Sequence, residues 1–390
     1  MIKTFTPVVW LALLLPTVAI AQEEQIVVKV TNPSDLAREN ETIAIPRDTL
    51  IAHLSHGKSE PLLVRDAVTG GELVSQWVDD DLNGIPGEYI FQSNFKPGES
   101  KSFLLATTSK AGKTSASLVD ARYVEPRDDL AWENDRIAFR MYGPALAAEV
   151  NNGIDVWTKR VRSLITKKWY EGEEQTPKIS YHIDHGEGAD FFSVGKSLGC
   201  GGTGIWFHDK VYQPGVFTSY RIVSTGPIRA CFELYYDNWS VEGTPLREVK
   251  RITLDARQNL NCIELTFKGG WRDTSIALAC GLVKRDRTEF YKSEDAGWMS
   301  LWGQTNDSPE NGYLGTGVVF RPKAIAGWAQ DSSQYIVLGE AKRGRTFTYY
   351  AGAGWTRSGD FTSVKDWNSY LDRFAAGLRS PLQVSITSKK

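Results

Sequence analysis

Between Tyr181 and Asp190 the chain reads Tyr-His-Ile-Asp-His-Gly-Glu-Gly-Ala-Asp, which packs two of its five histidines, three carboxylates and a tyrosine into ten residues. Imidazole is the side chain whose charge changes near neutral pH, and a neighbouring carboxylate orients it and fixes its tautomer. Such a set can remove a proton from carbon and return one to a leaving oxygen. Gly186, Gly188, Gly195, Gly199, Gly201, Gly202 and Gly204 strip side chains from the same region. That pattern suits a loop carrying chemistry better than a core strand, which favours β-branched and aromatic residues. His182, His185, Tyr181 and Asp184 are therefore the candidate catalytic groups. The blander alternative is a tight loop whose acids cap backbone N–H groups.

Other motifs nearby are weaker. Gly199-Cys-Gly-Gly-Thr-Gly204 satisfies G-x-G-x-x-G, but that fingerprint needs a buried strand before it and a helix after it. Here a polar loop precedes and Ile205-Trp206-Phe207 follows, so no dinucleotide is expected. His182, Asp184 and His185 lack the H-E-x-x-H order of a helical zinc site. No cofactor is called for, although a metal ion on those three residues stays open. Asp79, Asp81, Asn83 and Gly84 open like a calcium loop, but Ile90 stands where the bidentate glutamate belongs. A hairpin turn is the better reading.

Elements must position these groups. Met1 to Ala21 has a lysine, an apolar run and Ala19-Ile20-Ala21 at its end, the layout of a cleavable signal peptide. The chain is thus expected to be exported, periplasmic or secreted, with no membrane insertion. Removing those 21 residues from 390 leaves 369, enough for one large or two moderate domains. A net charge of −2 points away from nucleic acid. The four cysteines lack C-x-x-C spacing and read as buried thiols, with a disulfide permitted by export.

Short strands separated by turns run from Gln25 to Leu105, a small β-domain over 22–115 that contains His53 and His56 as surface residues. Residues 106–117, rich in Thr, Ser, Lys and Gly, read as a linker. The remainder, 116–390, shows recurrent strands and few helices, which indicates an all-β fold built as an antiparallel sandwich. Residues 136–142 alternate as a strand that puts Arg136 and Arg140 on one face. Asp155 to Tyr170 has apolar residues at helical spacing and five cations, Lys159, Arg160, Arg162, Lys167 and Lys168. This is either a solvated helix face or a basic lip that recruits an anion. A clearer helix starts at Thr362 or Ser363, and 382–386 form a last strand.

The histidine stretch with its trailing Gly-Cys-Gly-Gly, together with Asn134–Pro144 and Ala351-Gly-Ala-Gly-Trp355, resembles a family of secreted bacterial proteins. The family has been labelled a domain of unknown function and occurs among polysaccharide-degrading enzymes. One member is associated with ulvan breakdown as an oligosaccharide dehydratase acting on a terminal uronic acid. The resemblance implies a galactose-mutarotase-like supersandwich and, as activity, carbon–oxygen lyase chemistry on an anionic oligosaccharide. Eliminating water from a uronate requires neutralising its carboxylate, removing the α-proton and protonating the departing hydroxyl. On chemical grounds Arg140 and Lys168 are candidates for the carboxylate, and His182 and His185 for base and acid. Tyr181 is an alternative proton donor, Asp184 and Glu187 could orient imidazoles or contact substrate, and Trp169 and Trp355 could stack on sugars. A polysaccharide lyase, a glycoside hydrolase using Glu187 and Asp190, and a non-catalytic carbohydrate-binding protein are the alternatives.

Overall fold

The computed structural model describes residues 25–53, 62–107, 116–269, 275–305 and 309–388. The signal-peptide reading of 1–21, His56 and most of the expected linker lie outside the described residues. The chain is all-β, with antiparallel sheets and, among the described residues, three α-helices: α1 (Arg47–Ile51), α2 (Thr166–Glu174) and α3 (Val364–Arg379).

Strand Gln25–Thr31 alternates cleanly, burying Ile26, Val28 and Val30 on one face. It pairs with Ser100–Thr107 on one side and with Gln383–Ser388, the last strand of the chain, on the other. The expected boundary near 115 therefore needs correcting. The carboxyl end returns to the N-terminal unit, because the unpaired edge of Gln25–Thr31 offers the backbone donors and acceptors that a strand needs. A second small sheet, Arg38–Pro46, Glu88–Phe95 and Ser75–Val78, closes this unit over its own apolar cluster. At Asp79–Gly84 the acidic residues accept local backbone N–H groups, so the segment is a turn.

The larger part is a sandwich. Its eight-stranded sheet runs in the order Ser219–Thr225, Arg229–Val241, Thr244–Asp255, Leu260–Gly269, Phe347–Trp355, Tyr313–Val319, Trp298–Gln304, Thr288–Ser293. Two five-stranded sheets share its core. One contains Cys200–Phe207, Ser275–Val283 and Gln334–Lys342. The other runs Gly188–Ala189, Asp155–Lys159, Ile137–Met141, Asp129–Asn134, Val119–Val124. Trp132, Phe139, Phe232, Ile252 and Leu278 are fully buried between them, a packing worth about 1.5–3 kcal/mol for each large apolar side chain. Cys200 sits on a core strand, and the four thiols are free.

Helix α3 begins at Ser363, whose hydroxyl accepts the Asp366 N–H, and lays Trp367, Leu371 and Ala375 on the eight-stranded sheet. Gly315 leaves the room: a Cβ there would stand 2.7 Å from the Trp367 ring. The stretch 155–170 is not one helix. Asp155–Lys159 is a buried strand, a turn follows, and α2 starts only at Thr166. Pairing of this strand with both Ile137–Met141 and Gly188–Ala189 overrides the helical spacing of its apolar residues.

Candidate functional site

The histidine loop is anchored at both ends. The Asp190 N–H donates to the Tyr181 carbonyl at 2.8 Å, and Gly188 pairs with Lys159 at the sheet edge. Gly188 has φ +114°, and a Cβ on it would lie 2.0 Å from the Thr158 carbonyl oxygen, so only glycine fits. Asp184 Oδ1 accepts the Gly186 and Gly188 N–H groups, while Oδ2 faces Arg160 and Arg357. Burial opposes the Asp184 charge, but those amides and Arg160 hold its carboxyl below the usual range. Asp184 therefore shapes the loop and orients no imidazole, which corrects the expected role.

Helix α2 forms one wall. Its start is fixed by Glu133, whose carboxylate accepts the Ile165 and Thr166 N–H groups and the Thr166 hydroxyl. The same carboxylate holds the Lys159 ammonium at 2.6 Å. Lys159 is fully buried, so it is not part of a basic lip. From α2, Lys168 Nζ reaches Glu187 Oε1 at 2.7 Å and Trp169 Nε1 donates to Glu187 Oε2 at 3.2 Å. Lys168 then holds the Glu187 carboxyl below its ordinary range. Lys168, Trp169, Tyr181, Ile183, His185 and Glu187 line a cavity of about 510 Å³. His185 is exposed and has no side-chain hydrogen bond among the described residues.

Behind this wall lies the densest charge cluster. Arg140 is 5 % exposed, and its guanidinium meets Asp155 at 2.6 Å, Asp190 at 2.8 Å and Asp129 at 3.7 Å. It also donates to the Tyr181 and Tyr142 hydroxyls at 3.1 and 3.2 Å. Strand alternation explains the meeting. Arg140 and Asp155 are register partners on adjacent strands, so their side chains leave the same face of the sheet. Arg140 is thus enclosed by protein carboxylates and is not free to clamp a substrate, a correction of the expected role. Three carboxylates around one cation are a net negative cluster in a dry setting. Burial pushes Asp129 up to about 6 despite Arg140. Burial and then Asp155 raise Asp190 well above the usual carboxylate range, against the pull of Arg140.

Asp190, rather than Asp184 or Glu187, meets an imidazole. His182 Nδ1 lies 3.2 Å from the Asp190 carbonyl oxygen and 3.5 Å from its Oδ2. Both are acceptors, so the proton belongs on Nδ1 and Nε2 keeps a lone pair. The His182 side chain is 56 % exposed. Tyr181 packs its ring against His182 and Trp157, with centroids 4.6 and 4.7 Å apart. Its hydroxyl oxygen accepts from both Arg140 and Arg127. Burial raises Tyr181 above the ordinary phenol value while the two guanidiniums oppose the rise, so it is a phenol at neutral pH. Trp355 is 1 % exposed with Nε1 on the Asn311 carbonyl, and cannot stack on a sugar. Trp169 is mostly covered by Trp157 but lines the cavity. His182, Asp184 and His185 do not converge as metal donors; among the described residues no three His, Cys, Asp or Glu side chains do.

Asp129, Asp155 and Arg127 were invisible in the sequence, since nothing in their spacing ties them to a loop 26 to 63 residues away. Asp129 offers a direct check. Its folded pKa of about 6 exceeds the ordinary value of 3.8, so the folded state binds the extra proton. The stability this contributes is present below the ordinary value and is lost as pH rises toward 6. Asp129→Asn is expected to flatten that decline, raising stability at pH 7 by up to about 3 kcal/mol relative to pH 4. Urea unfolding at a series of pH values measures it.

Fold and site together describe a large antiparallel β-sandwich with a small β-unit attached and a histidine–acid loop on its flank. The chain belongs to the family Domain of unknown function (DUF4861), whose model matches residues 30–384. It is 32 % identical over 397 residues to Uncharacterized protein P7 of Formosa agariphila, covering 96 % of this chain and 97 % of that protein. Among solved structures, a protein in the Glycosyl Hydrolase Family 38 from Enterococcus faecalis shares the fold, with a TM-score of 0.51 at 13 % identity. That likeness covers 94 % of this chain but only 48 % of the larger protein.

Proposed function

We propose that the protein is an exported carbon–oxygen lyase, a dehydratase that eliminates water from a terminal uronic acid of an anionic oligosaccharide such as one derived from ulvan. The observation that carries this reading is the chain His182–Asp190–Arg140 beside the Tyr181 hydroxyl and the His185-lined cavity. A carbohydrate as substrate is supported by the fold shared with a glycoside hydrolase chain, and export by the amino-terminal pattern.

In this mechanism His182 Nε2 removes the C5 proton, which is acidified by the adjacent carboxylate. The C5–H electron pair forms the C4–C5 double bond, the C4–O bond breaks, and the oxygen leaves as water with a proton from Tyr181 or His185. Arg140 holds Asp190 in place, and Asp190 orients the His182 ring. Lys168, two-thirds exposed at the cavity edge, neutralises the substrate carboxylate. The hydrolase reading loses support, because Asp190 is enclosed against Arg140 and Glu187 is held by Lys168 and Trp169.

Incubation with uronate-containing oligosaccharides, followed by mass and ultraviolet absorbance, tests the proposal. Loss of one water with rising absorbance is the expected result. Chain cleavage with rising absorbance would instead mean a polysaccharide lyase, cleavage without it a hydrolase, and binding without any change a recognition protein.

A further inference from the structure

Three stretches far apart in sequence meet at one surface next to the histidine loop. Arg136 enters from the turn before Ile137–Met141, and Arg160 and Arg162 follow strand Asp155–Lys159. Arg357 lies in the 3-10 turn Thr356–Ser358, with Asp360 just beyond it. Arg162 holds Asp360 through both oxygens, at 2.7 and 2.9 Å, and Arg136 reaches the same carboxylate at 3.3 Å. Arg160 and Arg357 share Asp184 Oδ2 at 3.2 and 3.4 Å. Four guanidiniums against these two carboxylates leave two positive charges, or one when the buried Asp135 is included.

The layering matters more than the sum. The Asp184 and Asp360 side chains are 8 % and 11 % exposed, whereas Arg160, Arg357 and Arg162 are 36 %, 33 % and 50 % exposed. The acids lie beneath and hold the guanidiniums in place, and what faces solvent is cationic. Arg160 commits a single N–H to a protein acceptor among the described residues, out of the five a guanidinium carries. Like charges this close repel, and the fold tolerates them by placing a carboxylate between each pair. Guanidiniums fixed in this way suit bidentate binding of carboxylate or sulfate oxygens.

We infer that Arg160, Arg162 and Arg357 form a subsite for a second anionic group, a carboxylate or sulfate ester on the sugar adjoining the reacting one. The word reacting rests on the dehydratase reading above; the anion binding does not. Asp184 ties the subsite to the loop, two residues from His182 and one from His185. The patch is therefore close enough to serve a neighbouring unit of the same oligosaccharide. A substrate with one anionic group engages the cavity alone, and one with two engages both.

The test is calorimetric titration of His182→Ala protein with galacturonic acid, trigalacturonate and a sulfated chondroitin disaccharide. Each is repeated after adding Arg160→Gln with Arg357→Gln, and separately after Arg162→Gln. The expected result is at least about tenfold weaker binding of trigalacturonate or of the sulfated disaccharide in both arginine variants. That corresponds to about 1.4 kcal/mol. Galacturonic acid affinity stays unchanged, and the difference shrinks in 0.5 M salt. Whichever of the two larger probes is affected identifies the anion. Equal weakening of monomer and larger probes, no weakening in either variant, or no binding of the larger probes before the arginines are changed would each overturn the subsite. Turnover is read separately on the unsubstituted protein, so loss of the dehydratase reading leaves the binding result interpretable. Arg162→Gln does not touch Asp184, and agreement between the variants excludes a collapsed loop.

Discussion

His182→Ala is expected to lower the rate of unsaturated-product formation by about a thousandfold, within the 10²–10⁴ range of a positioned general base. The fold should survive, because the ring is more than half exposed and makes no core contact apart from Tyr181. The comparison that gives this result meaning is Asp190→Asn. An amide at that position keeps the backbone carbonyl that faces His182 Nδ1 but replaces the Arg140-held carboxyl group that lies 3.5 Å from that nitrogen. A fall of smaller size with unchanged KM is then expected. His185→Ala separates the second imidazole. If His185 delivers the proton to the leaving hydroxyl, the rate loss should ease for a substrate whose C4 substituent is a better leaving group. If Tyr181 does so, that easing belongs to Tyr181→Phe. Steady-state kinetics followed by the ultraviolet absorbance of the unsaturated product would reveal a wrong assignment as unchanged turnover in His182→Ala.

Arg140→Leu carries the largest expected effect on stability. Removing one partner from a buried ion network strands the others, and the cost is about 3–5 kcal/mol. Here Asp129, Asp155 and Asp190 would all lose their cation, with side chains at most 2 % exposed. Arg140→Lys should not restore stability. An ammonium cannot reproduce the planar fork that reaches two carboxylates and two tyrosine hydroxyls together. The pH dependence gives a sharper signature than the loss itself. Without the guanidinium, the already raised Asp129 and Asp190 carboxyls are pushed higher still in the folded variant, so the folded state binds more protons than the unfolded one. The variant should recover stability as pH falls from 7 toward 4, narrowing the gap to the parent protein. A gap that stays constant across that range would mean Arg140 contributes by packing on Tyr142 and Trp157 rather than by charge.

Both results bear on the same structural point. Arg140 was expected to touch substrate, but it instead holds Asp190 beneath His182 and donates to the Tyr181 hydroxyl. That makes it a positioning residue, one step behind His182 and the cavity-lining Tyr181. Losing it should therefore depress turnover as well as stability, and Asp190→Asn, which keeps the guanidinium, separates the two effects.

Much of the molecule could be read from residue order alone. Alternation of residue types marked strands such as Gln25–Thr31, which alternates in burial, and Ile137–Met141, which is buried throughout, and a polar cap before an amphipathic run marked α3. The clustering of His182, His185, Tyr181 and three acids identified the loop, because those types depend on local spacing. Local spacing also misled. The run 155–170 has helical periodicity, and only the two neighbouring strands turn its first five residues into a buried strand. Which acid meets which base is a tertiary matter. Asp184 is two residues from His182 but turns toward Arg160 and Arg357, whereas Asp190 returns because its N–H closes on the Tyr181 carbonyl. Asp129, Asp155 and Arg127 join the site through strand register and a turn, and the arginine surface forms where three distant stretches are brought together. Sequence spacing records which groups are present; hydrogen-bonded pairing across the sheet decides which of them share a face, and so which can act together.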